Sequence, residues 1–219
     1  MFKGMLFISK SLTVCFKALT VRYLTRRFIG DYDPFLENIY SCTKCLDGET
    51  VALEILDTAT QQVESNRLEV NIKWADAYIL MYAVTDRCSF NECSRLRLLI
   101  GSYSKRVGKR TPGETLPNQP VVLVGNQIDR EQDRMVSVEE GLGKAEEFSC
   151  VSFHEISVRE SVDGIDKIFE DIYMSYKYPK RNGSMRTNSV PSHTVPETRD
   201  HDSPKAALHR RRQALHTIS

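Results

Sequence analysis

Asn126 and Asp129 are the residues whose types and spacing point most directly to chemistry in this chain of 219 residues. They close the stretch Val121–Asp129, VVLVGNQID, in which four apolar residues and a Gly lead into a polar pair three apart. That pattern predicts a buried parallel strand ending in a loop at its carboxyl edge. In open α/β sheets ligands sit outside that edge. A carboxylate there can accept two parallel hydrogen bonds from a base presenting adjacent N–H groups, and among the purines only guanine does so. Asp57 and Ser157 take comparable places, each directly after a short predicted strand (Val51–Leu56 and Val151–Ile156). Cys42 and Cys45 form the one close cysteine pair. With no second pair or His cluster nearby they read as two small strand residues, the alternative being a metal or redox site.

These residues need a sheet to hold them. Met5–Ser9 is a candidate first strand, and Lys10–Phe16 contains no turn residue. Lys17–Leu24 has helical spacing, with Gly30 as its stop, and Asp31–Glu37 is an extended loop containing Pro34. Ile39–Leu46 and Val51–Leu56 flank Asp47-Gly48, a strong hairpin signal, and predict an antiparallel pair at a sheet edge. A polar helical segment through Lys73 leads to Ala77–Val84, a strand buried on both faces. A helix follows from Asp86–Ser89 to about Tyr103, then a loop over Gly101–Pro120 with the basic cluster Lys105, Arg106, Lys109 and Arg110. Ser137-Val-Glu-Glu140 is a capping box for a helix to about Phe148. Val162–Tyr176 is amphipathic, with Ile165, Ile168, Phe169, Ile172 and Tyr176 on one face. Strands alternating with helices after one hairpin predict an α/β, doubly wound, mostly parallel sheet with one antiparallel edge hairpin.

Composition narrows the function classes. The chain is 41% hydrophobic and 27% charged, enough apolar residue for a core. Its net charge of +1 is unevenly placed: residues 179–219 hold eight Lys/Arg against three acids, so the body is acidic. An acidic body argues against specific nucleic-acid binding and leaves the tail as the candidate for anionic partners. No apolar run reaches the length of a membrane span. Residues before Asp31 carry no acid and several Lys/Arg, the composition of a transit peptide, although part of this stretch serves as the predicted helix. The cysteine pattern and the lack of a secretory signal predict reduced thiols and a cytoplasmic protein, with nuclear or peripheral-membrane placement as alternatives. From Pro179 the chain is rich in Ser, Thr, Pro and Arg and is expected to be disordered.

Six segments together carry a resemblance: ALTVRYLTRRFIGDYDP, a hairpin with DGE, LDTA at a strand end, WADAYILMYAVTDRCSF, LVGNQID, and a Ser in the last loop. Over about residues 5–177 the chain resembles the Ras superfamily of small GTPases, with the Ras-like G-domain fold. The wording is closest to the branch of growth-inhibitor-type and family-twelve members, which often lack a carboxyl-terminal prenylation Cys, and this chain ends Leu215–Ser219 without one. The resemblance implies GTP/GDP and Mg²⁺ as ligands and a signalling role as a monomer. It divides the chain into an unmatched amino terminus (1–17, with a candidate first strand), a G domain (18–177) and a basic tail (178–219). Switch-like loops 30–40 and 57–71 would contact effectors or regulators, and Arg210–Arg212 an anionic lipid or an import receptor.

Carried over residue by residue, Asn126 would bond the O6/N7 side of guanine and tie two loops together, and Asp129 would take its N1–H and N2–H. Phe28 would pack on the base, and Ser157, Val158 and Arg159 form the loop closing over it. Gln127 stands where the family has Lys. Asp57 would be the outer-sphere Mg²⁺ carboxylate and Gln61 the residue that orients the attacking water. The phosphate side departs from the family. The turn G-x-x-x-x-G-K-[ST] curls backbone N–H groups around phosphate, neutralises it with Lys and binds Mg²⁺ through a hydroxyl. It falls on Lys10–Lys17, KSLTVCFK, which contains no Gly. Without gaps Phe16 takes the Lys position and Lys17 the hydroxyl position; shifted by one, Lys17 restores the Lys and Ala18 replaces the hydroxyl. Phe35 replaces the switch Thr and Thr60 the Gly that meets the terminal phosphate. The expectation is guanine-nucleotide binding with compromised GTP hydrolysis; the alternative is a pseudo-GTPase interaction module.

Overall fold

The computed structural model describes residues 5–8, 13–29, 38–57, 65–104 and 119–179, with backbone alone for 5–8, 13–16 and 65–66. Among the described residues six strands form one sheet in the order β2-β3-β1-β4-β5-β6. They are β1 (Met5–Ile8), β2 (Asn38–Leu46), β3 (Glu49–Asp57), β4 (Ala77–Ala83), β5 (Val121–Asn126) and β6 (Ser152–Ile156). Only β2 and β3 pair antiparallel; the other neighbours are parallel. The helices are α1 (Thr13–Thr25), α2 (Ser65–Trp74), α3 (Arg87–Tyr103), α4 (Val138–Glu147) and α5 (Asp163–Lys177), with a 3₁₀ turn over Ile128–Asp133. The predicted architecture is the one observed.

Local chemistry explains most boundaries. Asp47 and Gly48 both take positive φ, 51° and 72°, as a two-residue hairpin turn matched to strand twist requires. Asp86 caps α3 by accepting from the Cys88 N–H at 2.8 Å. The Ser137 hydroxyl accepts from the Glu140 N–H at 3.2 Å while Glu140 accepts from the Ser137 N–H at 2.9 Å, completing the capping box. The first helix starts at Thr13 rather than Lys17 because nothing in Thr13–Phe16 breaks a helix, so the turn extends backward. The fourth helix ends at Glu147, close to the predicted Phe148.

Alternation builds the core on both faces. Ile79 and Met81 of β4 join Leu53, Ile55, Val122 and Val124 under α1 and α5, where Leu19, Tyr23, Ile165, Phe169 and Ile172 meet them. Tyr78, Leu80 and Tyr82 turn to the other face, with Leu123, against Ile72, Phe90, Leu96 and Phe148. Each fully buried side chain of this kind contributes about 1.5–3 kcal/mol, which is why β4 and β5 sit at the centre. Tyr23 lies flat on Phe169, ring centres 3.5 Å apart, and joins α1 to α5. Cys42 and Cys45, three apart on β2, point to opposite faces, one half-buried and one exposed, so they do not form one chelate.

Candidate guanine-nucleotide site

The parallel strands bring their carboxyl ends to one edge, a stepped rim on which Ala83, Asn126 and Ile156 are level and Ile8 and Asp57 end lower, beside Leu80 and, through Phe7, Ile79. After β1 the chain turns to β2 and β3 on one side, and after β3 it crosses to β4 on the other. The direction of winding therefore reverses between β1 and β4, which opens a crevice at that rim.

Asn126 is the hinge of this rim. It is 3% exposed, lies opposite Ala83 and Ile156, and its Oδ1 accepts from the Val158 N–H at 3.1 Å. Its carbonyl accepts from the Val84 N–H at 2.9 Å. One side chain thus ties the β5 loop to the β6 loop. Ser157 is buried in that second loop; its hydroxyl accepts from the Glu160 N–H at 3.2 Å and its carbonyl from the Ser161 N–H at 2.9 Å. Val158 is buried and Arg159 exposed.

Gln127 adopts the left-handed conformation at φ 71°, which turns the chain outward at the strand end. Such a conformation costs a non-glycine residue about 1–2 kcal/mol. The Thr85 hydroxyl donates to Gln127 Oε1 at 2.6 Å and joins the β4 and β5 loops. Asp129 follows on the 3₁₀ turn with its carboxylate exposed. That turn is braced from beneath. Arg134 donates to both Glu155 oxygens at 2.9 Å and to Glu131 at 2.8 Å, and the N–H groups of Met135 and Val136 donate to the Val84 carbonyl. The bonds it donates to Glu155 hold the Arg134 guanidinium above its ordinary pKa, against the opposing effect of burial.

The other expected site residues are more scattered. Phe28 is 40% exposed just beyond α1, where Arg26 takes φ 64° and pairs with Asp166 of α5 at 2.5 Å. Asp57 ends β3 at 1% exposure, level with Phe7 of β1. Lys17 lies in the second turn of α1 at 3% exposure. Asn126, Ser157 and Val158 are therefore joined directly, with Gln127 and Asp129 on the adjoining loop. Gln61, Thr60, Phe35, Lys10–Leu12 and the tail from Lys180 lie outside the described residues. Two contributors escaped the sequence reading: Thr85, whose only signal is a hydroxyl just past a buried strand, and Arg134, whose partner is 21 residues away.

Sheet order, crevice and the paired strand-end loops define a doubly wound α/β protein with a crevice at its topological switch point. The Ras family model matches residues 11–177. The chain is 36% identical over 177 residues to the human Ras-related and estrogen-regulated growth inhibitor, covering 80% of this chain and 83% of that protein. It is 36% identical over 154 residues to Ras-like protein family member 12 of Danio rerio, covering 70% of this chain and 56% of that protein's length. It is 37% identical over 158 residues to Danio rerio Ras-like protein family member 11B, covering 69% of this chain and 60% of that protein. The chain belongs to the Ras family, whose members are guanine-nucleotide-binding signalling proteins that use Mg²⁺ and meet effectors and regulators. Among the described residues no helix is long and apolar enough to cross a membrane, and no group of three His, Cys, Asp or Glu is placed to hold a metal.

Proposed function

We propose that this chain is a Ras-family signalling module with a working guanine pocket and a weakened phosphate half. It binds guanine nucleotide below the strength typical of the family and turns GTP over poorly. The observation that carries this reading is the Asn126 Oδ1 bond to the Val158 N–H, which supports a preformed base pocket beside Asp129, Ser157 and Arg159. Against it stands a glycine-free Lys10–Lys17. Losing two charge-assisted phosphate interactions costs about 3–6 kcal/mol, on the order of 10²–10⁴ in affinity. Hydrolysis asks for positioned water, Mg²⁺ and charge stabilisation together. Of these the chain offers Gln61 and Asp57, and the Mg²⁺-binding hydroxyls are replaced by Lys17 or Ala18 and by Phe35. Signalling then rests on protein contacts through loops 30–40 and 57–71 of a monomeric G domain over 18–177. The amino-terminal 1–17 carries the altered phosphate segment, and Arg210–Arg212 in the 178–219 tail would meet an anionic lipid or an import receptor.

Titration of the purified chain with fluorescent GDP tests the reading. Weak binding that favours GDP over ADP supports it, and submicromolar, Mg²⁺-dependent binding overturns it. Replacing Lys10–Lys17 by a GxxxxGKS segment should restore affinity if the base pocket is sound. The second reading is a pseudo-GTPase interaction module that binds nucleotide weakly or not at all, favoured by the same missing glycines; complete absence of GDP binding would select it.

A further inference from the structure

Among the described residues three Lys, Arg, Asp or Glu residues are at most 6% exposed: Lys17, Asp57 and Asp171. Asp171 is accounted for on α5, 3.0 Å from His154 Nε2 and 3.2 Å from Lys167 Nζ. Asp57 instead ends β3, and Lys17 lies in the second turn of α1. Asp57 ends β3 level with Phe7, near the end of β1, and α1 packs across β3 through Ala18 and Leu19 against Leu53 and Ile55. Long side chains on a helix lean toward its amino end. A lysine in the second turn of α1 therefore reaches back toward the rim, where Asp57 sits.

A magnesium ion fits this set of groups poorly. An ammonium has no lone pair to offer a metal and repels it. In the gapless register Lys17 stands where the family places the metal-binding hydroxyl, and in the shifted register Ala18 does. Neither can ligate Mg²⁺, and Phe35 offers no oxygen either. A buried carboxylate and a buried ammonium can balance each other's charge without a metal where the fold brings them together.

We infer that Lys17 takes the electrostatic place of the divalent cation in this chain, so that the phosphates of a bound guanine nucleoside diphosphate are held without metal. This rests on the guanine pocket proposed above, and it adds a distinct property: affinity indifferent to Mg²⁺. The buried ammonium supplies positive charge at the rim beside Asp57, and the nucleotide arrives as a bare polyanion.

The test is titration of the full chain with fluorescent GDP and fluorescent ADP, each in millimolar Mg²⁺ and in excess EDTA. GDP affinity should agree within about twofold between the two conditions. Lys17→Met should weaken GDP about tenfold or more, Lys17→Arg should retain binding, and Lys17→Ser should make binding metal-dependent. Thermal melts report whether each variant folds. If Lys17→Met unfolds, the Arg variant and the metal response of the unaltered chain still decide. Mg²⁺-dependent GDP binding by the unaltered chain overturns the Lys17 assignment and leaves the guanine pocket standing. Equal binding of GDP and ADP that still depends on Lys17 removes the guanine pocket and supports the assignment. No binding of either nucleotide overturns both.

Discussion

Asn126→Ala should destabilise the domain, whereas Asp129→Ala should not, although both are expected to weaken guanine binding. Asn126 is 3% exposed and Val158 2%, so the 3.1 Å bond between them is closed to water. Truncating the amide leaves the Val158 N–H buried without its acceptor, which costs about 1–3 kcal/mol. For a domain of this size 1 kcal/mol shifts Tm by roughly 2–4 °C, so the fall should lie between about 2 and 12 °C. Asp129 is exposed, and an exposed substitution away from such a bond changes stability by about 0.5 kcal/mol or less. Circular-dichroism melts and urea titrations of both variants measure the difference, and fluorescent-GDP binding is read on the same preparations. An Asn126→Ala domain that melts with the unaltered chain would refute the argument that this side chain holds the two loops together. An Asp129→Ala domain that melts as low as Asn126→Ala would refute the argument that Asp129 is kept for a ligand.

Two further outcomes follow from the core. A Cβ added at Gly141 would lie 2.5 Å from Phe153 Cζ and 2.6 Å from Tyr82 Oη, so Gly141→Ala should cost about 1–3 kcal/mol by urea titration despite its better helix propensity. The Tyr82 hydroxyl is buried without a hydrogen-bond partner among the described residues, so Tyr82→Phe should be neutral or stabilising and should recover part of the Gly141→Ala loss. For Asp171, burial raises the carboxyl pKa, but the bonds from His154 and Lys167 outweigh it and hold the folded value below the ordinary one. Its stabilisation is thus present above the unfolded pKa of about 4 and is lost as pH falls through the folded value. Melts from neutral pH to the acid limit should show a smaller acid loss in Asp171→Asn.

Patterns that repeat along the chain were legible directly. The hairpin at Asp47-Gly48, the capping box at Ser137, the apolar face of α5 and the doubly buried β4 all depend on neighbours within one or two turns. The start of α1 was not legible, because Thr13–Phe16 has neither a cap nor a breaker to mark where the helix begins. Asp171 and Tyr173 of α5 were not among the residues of the predicted apolar face, yet both are buried. Tyr173 belongs to the core cluster, with its hydroxyl donating to Glu49 of the β2–β3 hairpin at 3.3 Å, and Asp171 lies 3.0 Å from His154 of β6.

Asn126 and Asp129 show where sequence stops and tertiary structure begins. By itself the sequence determined that a strand ends there, which polar groups follow, and that Lys10–Lys17 lacks the glycines a phosphate cradle needs, since residue type and spacing are local properties. The tertiary structure decided that Asn126 reaches across 32 residues to Val158, that Thr85 pins Gln127, and that Arg134 braces the turn under Asp129 through Glu155. It also decided that Lys17 and Asp57 are buried on packed neighbouring elements. Those relations arise because parallel strands, distant along the chain, bring their carboxyl ends to one rim, and no periodicity within a single segment records which ends will meet.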